Sequence, residues 1–362
     1  MRFVLQQLRT FELLSELVLI LTVCFVFAIG IFGQSGRIRE KQQEKRSQIE
    51  VVTPQDVRRE QKTSENHDDV IRVESILVPI PVSVTDKNGN FVSGLKRDDF
   101  LLEDNGKPVE IESVSISENL PLRIALLFDN SSSISSALDF EKKVVKSFLR
   151  KLVRTGIDMA SLFSISTTGR LEHPLTGNVS SLISTLENLG KPSGATALFD
   201  TVIQASEYLR DFDGKRVILI VSDGDDNISN ATLEDTIRTV LKNDCVVYVI
   251  MTSDFENFKR TGRREKSANV TFLMAERRMQ KLSLETGGAV YSPFDENEMQ
   301  QAFQQISSEI LQQYILNYYP EVENFSAGGI RNLSVRVRDR SDLALRFRKS
   351  YYLPDKVLKS TP

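Results

Sequence analysis

Hydrophobic residues follow two different spacings along the chain, and the change between them predicts two kinds of structure. Between residues 70 and 120 apolar and polar side chains alternate, as from Val78 to Val84. This is the period of a strand with one buried face. Asn88-Gly89 and Asn105-Gly106 mark tight turns between such strands. We therefore expect residues 70–120 to form short strands of a small β-sandwich.

From residue 121 to residue 313 the pattern alternates between continuous apolar runs and helical periodicity. Leu122–Asp129, Met159–Ile165 and Val217–Val221 are runs of the length and composition of buried strands. Segments such as 137–154 repeat apolar residues every three or four positions, as amphipathic helices do. Strands that alternate with helices in this way predict an α/β fold, with a doubly wound, mostly parallel, Rossmann-like sheet.

After residue 313 the period of two returns. Tyr314–Tyr319 and Leu333–Val337 alternate, and a polar tail at 355–362 ends the chain. Such strands are too few to fold alone. We therefore expect residues 314–354 to complete the β-sandwich begun at residue 70, with the α/β domain of residues 121–313 inserted between its halves.

Two segments without either pattern precede the strands. Leu17–Phe32 is an almost uninterrupted apolar run, slightly short for a membrane span and long for the core of a signal peptide. Residues 1–33 are therefore predicted to be a signal peptide or a membrane anchor. Residues 34–69 are polar and charged, which is typical of a linker. We therefore expect the protein to be exported, and to be secreted, periplasmic or anchored in a membrane with its domains facing outward. Membrane association would be through Leu17–Phe32.

Composition argues against several classes of protein. The formal net charge of −3 over 362 residues does not favour a surface for nucleic acid. Two cysteines cannot build a disulfide framework or a cysteine-based zinc site. Of the two histidines, His67 lies in a polar tail, so a Ser-His-Asp hydrolase would depend on His173, without a nucleophile-elbow sequence. We expect a protein that is not an enzyme.

Oxygen-bearing side chains follow the predicted strands. Asp129, Ser131 and Ser133 come directly after the first strand of the α/β domain, and Asp223 follows a later one. Thr196 stands just before a predicted helix. The carboxyl ends of parallel strands share one edge of the sheet, so these side chains are expected to converge there. Two carboxylates and three hydroxyls suit Mg²⁺ or Mn²⁺. For the first motif alone, the alternative is a turn that caps the next helix.

A cation held by only two aspartates accepts a further acidic ligand, so a carboxylate from a protein partner would complete its coordination. A basic segment after the predicted strand Val246–Ile250 would emerge at the same edge and fit an acidic partner. Its residues are Lys259, Arg260, Arg263 and Arg264. The alternative is an ordinary loop insertion. Asp225 and Asp226, which follow Asp223, are expected to be solvated.

The residues of this motif also match those of a known protein family. Residues 121–313 resemble a von Willebrand factor type A domain, and five positions match its metal-ion-dependent adhesion site: Asp129, Ser131, Ser133, Thr196 and Asp223. The flanking segments Val82–Gly106 and Tyr314–Pro320 are similar to those of exported bacterial proteins related to this family. The resemblance implies metal-dependent protein binding, in adhesion or assembly, without catalysis. The alternative function is a structural envelope protein in which the metal site is stabilising or vestigial.

Overall fold

The computed structural model describes residues 77–117, 120–131, 138–266, 269–321 and 329–352. The strands, in chain order, are β1 (Val78–Thr85), β2 (Phe100–Asp104), β3 (Lys107–Val109), β4 (Ile111–Ile116), β5 (Leu122–Asp129), β6 (Met159–Ile165), β7 (Arg170–Thr176), β8 (Lys215–Ser222), β9 (Cys245–Met251), β10 (Val290–Tyr291), β11 (Tyr314–Tyr318), β12 (Ile330–Val337), β13 (Ala344–Arg346) and β14 (Ser350–Tyr352). The helices are α1 (Leu138–Leu152), α2 (Val179–Glu187), α3 (Leu198–Arg210), α4 (Leu233–Lys242), α5 (Ser253–Thr261), α6 (Val270–Thr286) and α7 (Glu296–Leu311).

A six-stranded sheet forms the centre of the α/β part, in the order β10-β9-β8-β5-β6-β7. All neighbours pair in parallel except β7, which is antiparallel to β6. Strands β5 and β8 are buried on both faces, which explains why their sequences are continuous apolar runs. The predicted fold class, a doubly wound and mostly parallel α/β sheet, is confirmed.

Helices cover both faces of this sheet. Apolar residues of α1, α2 and α7 form one core with one face, and residues of α3, α4 and α6 form a second core with the other. The ends of α6 follow from its sequence: Asn269 accepts a hydrogen bond from the Thr271 N–H at the start, and Gly287, with φ of 87°, ends the helix in the left-handed region. A Cβ on Gly288 would lie 1.9 Å from the Val247 carbonyl oxygen. Glycine at this position therefore allows the chain after α6 to pass close to the backbone of β9.

Two four-stranded antiparallel sheets pack around a third apolar core. One has the order β13-β1-β11-β4 and the other β14-β12-β2-β3. Strands before and after the α/β part therefore share each sheet: β1 pairs with β11, and β2 pairs with β12. Pro79 and Pro81 lie where β1 has a neighbour on one side only, because β13 pairs with residues 83–85. A residue without an N–H fits there.

Three local features differ from the sequence predictions. Strand β7 was not predicted, because it contains Pro174 and its side chains are mostly half-buried. Helix α5 occupies most of a segment predicted to be a loop, because only Asp254 and Phe255 of its nine residues are buried. The spacing of apolar residues predicts a helix from Glu276 to Glu285, but helix α6 begins six residues earlier, at Val270. In each case too few side chains are buried for the apolar residues to repeat with the spacing of a strand or a helix.

Within the described residues, no helix combines the length and the apolar character needed to cross a membrane. The predicted signal or anchor at Leu17–Phe32, the linker at 34–69 and the tail at 355–362 lie outside the described residues.

Candidate metal centre

Four of the five predicted metal ligands lie at the carboxyl edge of the parallel sheet. Asp129 is the last residue of β5, and Asp223 directly follows β8, its parallel neighbour. Ser131 lies two residues beyond Asp129, and Thr196 precedes helix α3. All four side chains are buried. Ser133 lies outside the described residues.

Hydrogen bonds from backbone N–H groups connect the three loops that carry these residues. The Ser193 N–H donates to the Asn130 carbonyl oxygen at 2.9 Å, which ties the Thr196 loop to the Asp129 loop. The Thr196 N–H donates to Asn227 Oδ1 at 3.0 Å, and the Asn227 N–H returns a bond to the Thr196 carbonyl oxygen at 3.1 Å. The loop after β8 is thereby held against the other two, as the motif spacing predicts.

Asp129 is a buried carboxylate without a cationic partner among the described residues. Its Oδ2 accepts a bond from Ser222 Oγ at 2.5 Å, and its Oδ1 accepts one from the Ser131 N–H at 2.9 Å. Burial, and next the nearby Asp223 carboxylate, raise the pKa of Asp129 to about 6. A divalent cation would relieve both effects, since it supplies the missing positive charge.

Two further carboxylates lie near this edge, and sequence reasoning missed both. Burial, followed by repulsion from Glu256, Asp129 and Asp223, raises the pKa of Glu141 well above its usual value. Burial, followed by repulsion from Asp223 and Asp129, raises the pKa of Glu256 to about 8. A signal for Glu141 was present, because position 141 falls three and four residues before Val144 and Val145 on the buried face of α1. Glu256, on the polar helix α5, carries no such signal.

Asp226 positions the loop that carries Thr196, and the prediction that it is solvated is wrong. Its Oδ1 accepts bonds from the Leu198 N–H at 2.8 Å and the Phe199 N–H at 3.2 Å. It also accepts a bond from Ser229 Oγ. Asp226 is thus the cap of α3, supplied by a different loop, because Ala197 at the cap position has no side-chain acceptor.

Replacing Asp226 by Ala is expected to lower the free energy of unfolding by about 1 to 2 kcal/mol, because the first amides of α3 lose their acceptor. Urea denaturation measures the change. Asp226→Asn keeps one side-chain oxygen that can accept these bonds, so it should retain most of the stability that Asp226→Ala loses. Equal losses in the two variants would contradict the capping role.

The basic segment is largely engaged within the chain. Lys259 Nζ lies 2.7 Å from Glu296 Oε1, and Arg264 pairs with Asp295 at 3.0 Å and with Glu298. These acidic residues stand at the start of α7. Arg260 and Arg263 are exposed, and Arg260 donates to Asn257 Oδ1 at 3.0 Å. A role of the segment in partner binding stays a prediction.

The donor set of the predicted centre fits a hard cation. In the described part of the chain, no group of three or more His, Cys, Asp or Glu side chains is arranged to hold a metal ion. The predicted centre has two carboxylates, and its other protein ligands are hydroxyls. Mg²⁺ is commonly held by one or two carboxylates, with water in the remaining positions.

Comparison with known proteins confirms the domain type. Residues 124–225 match the von Willebrand factor type A domain family. Among the curated proteins, none matches the sequence.

Solved structures of low sequence identity are also similar. They include a von Willebrand factor type A protein from Catenulispora acidiphila, with 13% identity, coverage of 72% of this chain and 75% of that one, and a TM-score of 0.42. Proximal thread matrix protein 1 from the mussel byssus, described with a zinc-occupied MIDAS motif, has 13% identity, coverage of 57% and 50%, and a TM-score of 0.44. The PilB minor pilin from Streptococcus sanguinis has 15% identity and a TM-score of 0.41 over 54% of this chain; the match spans 63% of the pilin's length.

Proposed function

We propose that the von Willebrand factor type A domain, matched over residues 124–225, is a metal-dependent protein-binding module without catalytic activity. In this proposal Asp129, Ser131, Ser133, Thr196 and Asp223 hold Mg²⁺ or Mn²⁺. The observation that carries it is the pair of buried aspartates, Asp129 and Asp223, at one sheet edge without a basic partner in the described residues. Two unpaired carboxylates are costly to bury unless a cation accompanies them.

The proposed partner is a protein that presents an acidic side chain. With five protein ligands, an octahedral ion keeps one position for an external oxygen. A carboxylate is the side chain that a hard cation prefers there. The bound ion would therefore form the contact itself, and removal of the ion would abolish binding.

Export is part of the proposal and rests on the sequence. The apolar run at Leu17–Phe32, followed by a polar segment, is the pattern of a signal peptide or anchor. The domain would then act in adhesion or assembly outside the cytoplasm, where divalent cations are available.

Isothermal titration of the full chain with MgCl₂ and MnCl₂ tests the metal centre. We expect the wild type to bind and Asp129→Ala to give no measurable heat, because the variant lacks the buried carboxylate that anchors the ion. Asp225→Ala is the matched control, since Asp225 lies two residues beyond Asp223 and is not among the proposed ligands. Equal binding by Asp129→Ala and the wild type would overturn the proposed centre.

Capture of partners from a native envelope extract, with and without EDTA, tests the second step. A partner that is retained with Mg²⁺, released by EDTA and not retained by Asp129→Ala fits the proposal. Metal binding without any EDTA-sensitive partner would favour the alternative, a structural protein in which the ion only stabilises the fold.

A further inference from the structure

A cavity of about 270 Å³ lies where the amino edge of the parallel sheet meets the β-sandwich. Its lining includes Lys215 and Cys245, the first residues of β8 and β9, and residues of β1 and β11. An apolar cavity of about 150 Å³ is large enough to hold benzene. This one therefore has room for a small organic molecule, and it lies at the edge of the sheet opposite the candidate metal centre.

One wall of the cavity is apolar because side chains alternate along the strands of the sandwich. In β1, Ile80 packs in the sandwich core, so Pro79 and Pro81 on either side of it lie on the other face of the strand. Pro81 aligns with Ile315 of β11, which alternates in the same way with the core residue Leu316. A proline presents carbon surface and has no N–H. The wall therefore suits an apolar group.

A buried lysine lies on the side of the cavity formed by the α/β part. Lys215 is 8% exposed, and its Nζ donates to the Ile310 carbonyl oxygen and to Gln313 Oε1, both at 2.5 Å. Gln313 lines the cavity as well. An ammonium group has three N–H donors, so one remains for a further acceptor. A ligand in the cavity can supply that acceptor.

Lys215 has no carboxylate at ion-pair distance among the described residues. The charge of Glu309 acts on it, but Glu309 is bonded to the Tyr291 hydroxyl at 2.8 Å and to Arg346. Burial lowers the pKa of Lys215 to about 7, although Glu309 acts in the opposite direction. An anion next to Nζ would favour the charged form and compensate for the water that the ammonium group has lost.

Arg348 brings a second donor to the cavity. Its guanidinium pairs with Asp244 and donates to the Pro79 carbonyl oxygen at 2.6 Å. Its Nε is buried and has no hydrogen-bonding partner in the part of the chain that the structure describes. Three basic side chains and one acidic side chain line the cavity: Lys215, Arg216, Arg348 and Asp244. The formal charge of the lining is therefore positive, which favours an anionic ligand.

We propose that this cavity binds a monocarboxylate with an apolar body, its carboxylate paired with Lys215 and its body packed against Pro81 and Ile315. A mostly apolar lining with a few polar groups is the usual form of a small-molecule site. Inorganic phosphate fits less well, because some of its oxygens would lie against the apolar wall without donors. The proposal does not depend on the metal centre.

Isothermal titration of the full chain with sodium octanoate tests the site. The buffer contains EDTA, because a carboxylate could otherwise bind an ion at the metal edge. We expect one octanoate per chain. Octan-1-ol has the same apolar chain without the charge, so it should bind at least about tenfold more weakly. Inorganic phosphate should give no measurable heat.

Two variants separate the charge from the apolar wall. Lys215→Met keeps a long side chain without the ammonium group, so it should weaken octanoate binding at least about tenfold and leave octan-1-ol binding unchanged. Ile315→Phe adds volume on the cavity side of β11 and should weaken the binding of both compounds. Lys146→Met is the matched control, because Lys146 pairs with Glu187 away from the cavity, and it should bind both compounds as the wild type does.

Thermal unfolding verifies that each variant is folded. Absence of octanoate binding by the wild type, or equal octanoate binding by the wild type and Lys215→Met, would overturn the proposal. If Lys215→Met does not fold, the comparison of octanoate with octan-1-ol and the result for Ile315→Phe decide the question. Equal affinity of the wild type for octanoate and octan-1-ol would then overturn the proposal. None of these outcomes bears on the metal-dependent function, since all titrations are made in EDTA.

Discussion

Replacing Asp104 by Ala is expected to lower the free energy of unfolding by about 3 to 5 kcal/mol, the largest effect that we predict. Asp104 is buried in the β-sandwich, and its oxygens accept bonds from Arg331 Nε at 2.8 and 2.7 Å. Tyr318 donates to Asp104 Oδ2 at 2.8 Å and shares a 2.6 Å bond with the Tyr351 hydroxyl. Alanine would remove the buried carboxylate that bonds Arg331 Nε and the Tyr318 hydroxyl.

A second ion pair between the same two strands supplies a matched control. Glu103 and Arg336 also bridge β2 and β12, at 2.7 Å, but Arg336 is 64% exposed. Glu103→Ala should therefore change the free energy of unfolding by less than about 1 kcal/mol. Urea denaturation measures both variants. The double variant Asp104→Leu with Arg331→Met should recover much of the loss, because the pair's desolvation cost disappears with it. Similar losses for Asp104→Ala and Glu103→Ala would contradict the role of burial.

Asp129→Asn is expected to stabilise the metal-free protein and to remove its stabilisation by metal. The pKa of Asp129 in the folded protein, about 6, lies above the ordinary aspartate value of 3.8. The folded state therefore holds the proton more tightly than the unfolded state, and stability falls as pH rises from about 4 to about 6. At pH 7 the cost is about 3 kcal/mol, and asparagine avoids it. Asparagine can still accept the Ser131 N–H bond.

Denaturant unfolding in EDTA and in MgCl₂, at pH 7 and pH 4, measures this prediction. In EDTA the variant should exceed the wild type by up to about 3 kcal/mol at pH 7 and by little at pH 4. With MgCl₂ at pH 7 the wild type alone should gain stability, since a ligand stabilises only the state that binds it. Asp213→Asn, in the exposed loop before β8, should change neither result. A variant less stable than the wild type in EDTA at pH 7 would contradict the argument.

The central sheet and the positions of four candidate metal ligands could be predicted because burial leaves a strong pattern. Strands β5 and β8 are buried on both faces, and their apolar runs end directly before the polar residues of the edge. Parallel pairing then brings Asp129 and Asp223 together without further information. The predicted placement of Thr196 holds for the same reason, since α3 follows it and packs on the same sheet.

The rest depends on contacts that no local pattern records. Asp104 and Arg331 are 227 residues apart, and alternation predicts that each lies in a strand without identifying the partner strand. Asp226 caps a helix that begins 28 residues earlier, so it resembles a surface aspartate in sequence. The environment of Glu256 depends on the packing of α5 against α1, which the sequence around Glu256 does not indicate.

The pairing of β1, β11 and β4 has a mechanical consequence. Val78 in β1 aligns with Tyr318 in β11, and Tyr314 at the other end of β11 aligns with Ile116 in β4. If the chain were held before β1 and pulled through the proposed metal edge, the force would enter this sheet at residue 78 and leave it at residue 116. The two points lie at opposite ends of the paired strands. The force therefore loads the interstrand hydrogen bonds in shear, so that they resist together and do not open one at a time.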